Sequence, residues 1–426
     1  MKIHVVQKGD TIQSIAELYG ISVDNLIKDN NLTNPDHLSI GQTIVIAIPK
    51  NVYTIKEGDS LGSIAKNFNI SLIELLANNP YLSERDYIYP GDKIIVSFDK
   101  KDIITTHGNT VPYIDKNTLV KTLPYLTYLS VLNYTATNEG NIITYYDDTE
   151  IIKTTKAFGV VPLMLLTTLT IHGDANIRTD FDLLLNEDFQ DRQINMILDI
   201  LNAKGYLGLN ISFQYISVSN IELYEGYLTK ISNRLNNEGF EVFVTVNPNI
   251  TEMNNHIYFE KIDYSIINHI AQNIIFMSYE WAVNPNPPSP ISSVNNLKLF
   301  LDYILKFIPS EKIIIGMATI GYDWELPYAP GISNVNSISY DRFLDFAYNY
   351  DAEIKFDEIS QTPYFRFRDG MSIEHIVWFI DAKSINAILN LVSSYNLRGI
   401  SVWNLTIYNP QLWLMINSQF EIEKII

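Results

Sequence analysis

The sequence predicts an α/β protein, a (β/α)8 barrel with a small α+β insertion, preceded by two small modules of strand, helix, helix and strand. Three observations lead there. The N-terminal quarter of the chain repeats itself at a spacing of 49 positions. Beyond about Asp99, short apolar runs alternate with amphipathic stretches. One late interval breaks that alternation with Tyr- and Phe-rich, hairpin-like sequence.

The repeat pairs "HVVQKGDTIQSIAELYGISVDNLIKDN" with "YTIKEGDSLGSIAKNFNISLIELLANN", so that Gly9, Asp10 and Thr11 match Gly58, Asp59 and Ser60. Alternating apolar residues in "HVVQ" read as a strand, and Asp10 with Thr11 as the cap of the helix "IQSIAELYG". Asp59 reads as a cap in the same way. Gly20 ends that helix, a second helix starts at Ser22, and "GQTIVIAI" returns as a strand. With its Gly-Asp-Thr/Ser opening, the Asn-rich end of its second helix (Asn30, Asn31; Asn78, Asn79) and its Gly-Gln/Asp ending, each copy resembles the LysM module. The resemblance covers residues 3–48 and 52–98, with expected modules at 1–50 and 51–98. It implies binding of the N-acetylglucosamine backbone of peptidoglycan or chitin. The implied groove uses Gly9, Asp10, Thr11 and Ile12 with Asn31 and Leu32 onward to Leu38, and Gly58, Asp59, Ser60 and Leu61 with Asn79 and Pro80 onward to Tyr87.

Residues 99–426 carry the barrel pattern. The expected strands are "IITT" (103–106), "YLTYLSVLNY" (125–134), "VVPLMLLT" (160–167), "YLGLNISF" (206–213), "EVFVTVN" (241–247), "NIIFMSY" (273–279), "KIIIGMA" (312–318) and "RGISVWN" (398–404). Amphipathic segments such as "FQDRQINMILDILNAKG" and "YEGYLTKISNRLNNEG" lie between most of them. Near-continuous apolar strands need both faces covered, which favours a closed parallel TIM barrel with its site at the C-terminal strand ends. Residues 322–380, including "TPYFRFRDGMSIEHIVWF", form the expected insertion, walling a cleft at the barrel mouth.

Composition narrows the function. With 30 Lys plus Arg against 48 Asp plus Glu, the formal charge of -18 opposes attraction to nucleic acid phosphates and favours neutral or cationic partners. The absence of cysteine excludes disulfides, thiolate nucleophiles and Cys-based zinc sites. No apolar run is long enough to span a bilayer, and "MKIHVVQKGDTIQS" has no apolar core of a signal peptide, so no membrane span and no signal-dependent export are expected. Neither metal nor cofactor is expected: His375 has no second His at ligand spacing, and no Gly-rich phosphate loop or Ser-His-Asp signature occurs. His375 reads as structural.

The strand ends gather Tyr279, Trp281, Tyr322, Trp324 and Trp403 toward one mouth. Flat aromatic faces beside amides and carboxylates suit a saccharide cleft. Four of the five tryptophans are expected at or near these ends, the fifth being Trp378 in the insertion. Through "MSYEW", "GYDWELPY", "VWFIDAKS" and "GISVWNL", together with the paired modules, the chain resembles glycoside hydrolase family 18, and within it the spore cortex-lytic N-acetylglucosaminidases of the SleL and YaaH type. The resemblance spans essentially the whole chain. It implies substrate-assisted hydrolysis: a Glu ending the fourth strand protonates the glycosidic oxygen, an Asp two residues earlier orients the substrate acetamide, and a Tyr on the sixth strand, here Tyr279, hydrogen-bonds it. Residues i and i+2 share a strand face, so such a pair aims both carboxyls into the cleft.

This chain has Ser212 and Gln214 at those two places. An amide has no proton to transfer, and general acid catalysis is typically worth about 10²- to 10⁴-fold. Ser212 also lacks the charge that would stabilise the oxazolinium. Glu280 and Asp323 are expected to line the same mouth, and Glu222 and Glu225 follow the fourth strand, yet none holds the acid's place. Asn210, Glu280, Trp281, Tyr322, Asp323, Trp324 and Trp403 are therefore expected to bind sugar. The expectation is a glycan-binding spore or cell-wall protein whose barrel has lost catalysis; the alternative is an active N-acetylglucosaminidase working through a displaced acid such as Glu280. Spore placement, in cortex, coat or exosporium after synthesis in the mother-cell cytoplasm, follows from the resemblance.

Overall fold

The computed structural model describes residues 1–426 except 33, 86, 171–182, 214–215, 254–255, 279–287 and 330–331. Eight strands close a parallel barrel: β1 (Asp102–Thr110), β2 (Tyr128–Ala136), β3 (Val161–Thr167), β4 (Gly208–Phe213), β5 (Glu241–Val246), β6 (Asn273–Phe276), β7 (Ile313–Ala318) and β8 (Gly399–Trp403). Each pairs in parallel with the next, and β8 returns to β1. Closure depends on Gly399, where a Cβ would lie 1.8 Å from the Thr105 carbonyl oxygen. All eight expected strands are present. β2 begins at Tyr128 rather than 125 because Leu123–Tyr125, with Pro124 inside it, forms a 3-10 turn. Among the described residues no helix is long and apolar enough to cross a membrane, and no group of three or more His, Asp or Glu could hold a metal ion.

Strand alternation sorts the barrel interior into two layers. Tyr128, Leu163, Phe243, Ile275 and Ile314 form an apolar lower plug. Two residues further along their strands lie Ser130 and Thr245, which with His107, Asn210 and Ser401 make a polar layer under the mouth. The outward faces of the strands meet helices such as Glu187–Lys204 and Ile221–Asn237, whose apolar stripes (Ile194, Ile197, Leu201; Tyr227, Leu228, Ile231) are buried. Asn186 caps the first of these helices and left-handed Gly205 ends it.

The insertion is a five-stranded antiparallel sheet, in spatial order Val335–Ser339, Ile320–Leu326, Glu374–Trp378, Thr362–Arg368 and Lys355–Asp357. Its two faces have different neighbours. Tyr322, Trp324, Ile376 and Trp378 pack into the main core, whereas Val377, Phe365 and Phe379 form a separate core with Phe343 and Ala347 of the helix Tyr340–Asn349.

Each N-terminal module is an antiparallel strand pair carrying two helices: Lys2–Val5, Ile12–Tyr19, Val23–Asn30 and Thr43–Ile46, then Asn51–Thr54, Leu61–Phe68, Leu72–Asn78 and Lys93–Ser97. Thr11 and Ser60 are the helix caps, each in a reciprocal box with Ser14 or Ser63. Asp10 and Asp59 do not cap. Their carboxylates brace the preceding turn, Asp10 accepting from the Gln7 N–H (2.7 Å) and lying 2.9 Å from His4 Nε2, Asp59 accepting from the Lys56 N–H (2.7 Å) and the Tyr53 hydroxyl (2.9 Å). The Gln7 N–H, with help from His4, holds the Asp10 carboxyl below its ordinary range.

The modules are docked on the barrel through the C-terminal helix Pro410–Gln419. Gln411 donates to the Thr43 carbonyl (2.7 Å) and to Asn30 Oδ1 (3.2 Å), while Asn417 donates to Asn78 Oδ1 (2.8 Å) and the Ala77 carbonyl (3.2 Å). The Tyr125 hydroxyl donates to that same Ala77 oxygen (2.9 Å), and Val45 and Ala77 belong to the main core. Asp29 sits half-buried in this seam, where its charge is felt by Tyr81 of the second module and Tyr125 of the barrel. Burial raises its carboxyl from 3.8 to about 7, against a smaller lowering by Lys28. Folding then takes up a proton at Asp29 between those values, so this group's contribution to stability is greatest below about pH 4 and is lost as pH rises through about 7. Asp29→Asn should raise the melting temperature at pH 8 and leave it unchanged at pH 4; an equal effect at both would show that the buried charge is not the cause.

Candidate functional site

The mouth is built on the polar layer. In β1, His107 Nδ1 lies 2.8 Å from Ser401 Oγ and Nε2 lies 2.7 Å from Ser130 Oγ. Burial pushes this imidazole down to about 3, so it is neutral, and one ring nitrogen donates while the other accepts. Asn210 donates to Ser130 Oγ (3.1 Å) and accepts from Thr245 Oγ1 (2.8 Å), and Asn109 donates to Ser401 Oγ (3.1 Å). The network runs unbroken from Asn109 to Thr245 and carries no formal charge.

Ser212 stands directly above it. Asn210 points inward, so Ser212, two residues on, shares that face; it is paired in register with Thr167 of β3 and Thr245 of β5 and is buried. Where the resemblance implies a carboxylate, the barrel presents adjoining hydroxyl residues. Asn210 lies one layer deeper, buried and bonded to Ser130 and Thr245, and supports the site from below. Trp403, two residues past Ser401 on the same face of β8, is half-buried at the mouth. Gln214, Tyr279, Glu280 and Trp281 lie outside the described residues.

The other expected residues are placed differently. Tyr322 is half-buried with its ring 5.7 Å from that of Trp324, on the barrel-facing side of the insertion sheet. Trp324 is wholly buried in the core, its indole N–H without a hydrogen-bond partner among the described residues. Asp323 alternates to the opposite face, away from the mouth. There its carboxylate takes His375 Nδ1 at 2.9 Å, and His375 stacks on Phe367 with ring centres 4.6 Å apart. Burial raises the Asp323 carboxyl, opposed by the His375 hydrogen bond. Glu222 and Glu225 are exposed on the helix Ile221–Asn237. Trp413, counted by sequence among the tryptophans near the mouth, instead stacks on Tyr125 (5.3 Å) at the seam with the second module.

Sequence reasoning missed the aromatic pair Tyr113 and Tyr146, whose exposed rings meet edge to face at 5.6 Å. Tyr113 follows the C-terminal end of β1, where a loop aromatic at a strand end was the available signal.

In the modules, Gly9, Thr11, Asn31, Gly58 and Ser60 are exposed, whereas the side chains of Ile12 and Leu32 are core and Leu61 is half-buried. Asn79 is not the counterpart of Asn31. At the repeat spacing it matches Asn30, and both buried amides clamp the returning strand, Asn30 through both peptide groups of Val45 and Asn79 through those of Ile95. Asn79 is therefore occupied, and Asn31, which ends its helix in the left-handed region, corresponds to half-buried Pro80.

Comparison with known proteins gives two family matches: "Glycosyl hydrolases family 18" over residues 109–407, and the LysM domain over residues 4–47 and 53–97. The chain is 32% identical to the cortical fragment-lytic enzyme of Bacillus subtilis (strain 168), covering 100% of this chain and 99% of that one. It is 28% identical to the cortical fragment-lytic enzyme of Bacillus anthracis over the same shares. Among solved structures, the spore cortex-lytic enzyme SleL of Bacillus megaterium QM B1551 superposes with a TM-score of 0.81 at 30% identity, covering 100% of this chain and 99% of that one.

Proposed function

Because the chain belongs to glycosyl hydrolase family 18 and carries two LysM domains, we propose that it is a spore-associated protein that binds N-acetylglucosamine-containing peptidoglycan and does not cleave it. The observation that carries this reading is Ser212, inward-facing at the end of β4, between Thr167 and Thr245 and above a neutral network. Among the described residues, a developing oxazolinium at that position would meet hydroxyl dipoles and no charge, although preorganised charge usually contributes most to catalysis of this kind. Asp323 offers no replacement, since it faces away from the mouth and is committed to His375. The match to cortical fragment-lytic enzymes across whole chains supports the ligand class and the spore setting.

Binding is tested by sedimentation with insoluble peptidoglycan. A chain of net charge -18 gains nothing electrostatically from an acidic polymer, so its retention must come from neutral contacts. The full chain should pellet with the glycan, should stay bound when salt rises from 50 to 500 mM (about a threefold fall in screening length), and should be released by chitooligosaccharide. Recovery in the supernatant at every salt concentration would overturn the reading.

A further inference from the structure

On the outer side of the insertion, away from the barrel mouth, a cleft of about 240 Å³ separates the first LysM module from the helix Tyr340–Asn349. Its module wall is the segment after Asn30, the same segment to which the LysM resemblance assigns the glycan groove. Docking fixes the two walls. The rings of His37 and Tyr348 stack at 4.3 Å and 9°, and the Ile354 N–H donates to the Ile40 carbonyl at 2.9 Å. Beside that bond, Gly41 has a φ of +87°, and a Cβ on it would lie 2.0 Å from the Ile354 carbonyl oxygen. A side chain there would push the walls apart.

The lining is polar and amide-rich, with Asp345 as its carboxylate. Asn31, Asn34 and Gln42 face Asp345, Tyr348 and Asn349, and neither Lys nor Arg takes part. Amides donate to and accept from an acetamide, a carboxylate accepts from sugar hydroxyls, and a tyrosine ring covers the apolar face of a sugar. An anionic ligand would meet the Asp345 carboxylate and, among the described lining residues, neither Lys nor Arg. The volume falls below the ~300–1,000 Å³ of ordinary ligand clefts, which limits the occupant to about one sugar ring with its substituent.

We propose that this cleft is a composite seat for one N-acetylhexosamine residue, held jointly by the first module and the insertion helix. The proposal rests on the glycan-binding reading and deepens it: the first module binds as part of the barrel assembly. The two modules are then unequal, because the second keeps exposed aromatics of its own at Tyr87 and Tyr89.

The test uses the full chain and triacetylchitotriose, followed by calorimetry and by the imidazole NMR signals of His37, assigned with His37→Gln. Chitotriose should shift the His37 signals. Tyr348→Ala, at a residue 43% exposed, and Asp345→Asn, which leaves the ring stack in place, should each weaken that response by about tenfold, or 1.4 kcal/mol. Chitotriose binding that leaves His37 unmoved and is insensitive to both variants would overturn the composite seat while the glycan-binding reading stands. No response to chitotriose by either method overturns both.

Discussion

The Ser212→Asp, Gln214→Glu chain should release reducing ends from chitooligosaccharides at least about 10²-fold faster than the unaltered protein, the lower end of what a general acid alone contributes. Thr167 adjoins position 212 in register, and its hydroxyl, which accepts from the Leu169 N–H, keeps a proton to donate to a new carboxylate, while neutral His107 below imposes no opposing charge. Each single reversion should recover far less, because acid and stabilising charge act on one transition state and their effects are not additive. Equal recovery by Gln214→Glu alone would show that the charge at position 212 is dispensable. Failure of the double variant would place the lesion elsewhere in the mouth, beyond these two residues.

Deleting residues 1–98 should destabilise the barrel as well as weaken binding. Gln411 and Asn417 would lose their partners Thr43, Asn30, Asn78 and Ala77, the Tyr125 hydroxyl would lose the Ala77 carbonyl, and the main core would lose Val45 and Ala77. At about 0.5–1.5 kcal/mol net for each hydrogen bond, before any apolar exposure, the loss is several kcal/mol. A fall in melting temperature of roughly 5 °C or more is expected for residues 99–426, since each kcal/mol shifts a domain of this size by a few degrees. An unchanged melting temperature would mean that the modules are tethered rather than docked. For the same reason point variants, not truncations, are the sound probes of glycan binding here.

The barrel was legible because its strands are buried on both faces and so read as apolar runs. The polar interior layer was harder to see: Ser130, Asn210, Thr245 and Ser401 are scattered through four such runs, His107 lies just past a fifth, and only the closed barrel brings them together. Where sequence failed, alternation and register were the cause. Asp323 was placed at the mouth with Tyr322 and Trp324, but adjacent strand residues point to opposite faces. Asn79 was matched to Asn31 through its Asn-Asn context, although the repeat spacing pairs it with Asn30. Asp10 and Asp59 were read as caps because they stand next to one, while Thr11 and Ser60 do the capping. Trp413 and the docking seam had no local signal, since Gln411 and Asn417 meet partners more than 300 positions away.

Whether the barrel holds glycan without cutting it is tested most directly by incubating the unaltered full chain with cortex fragments containing muramic δ-lactam and following reducing ends, with the Ser212→Asp, Gln214→Glu chain alongside. Reducing ends from the unaltered chain should stay at the protein-free baseline while those from the double variant rise. Steady, protein-dependent release by the unaltered chain would contradict the account and point to an acid other than the one lost from β4.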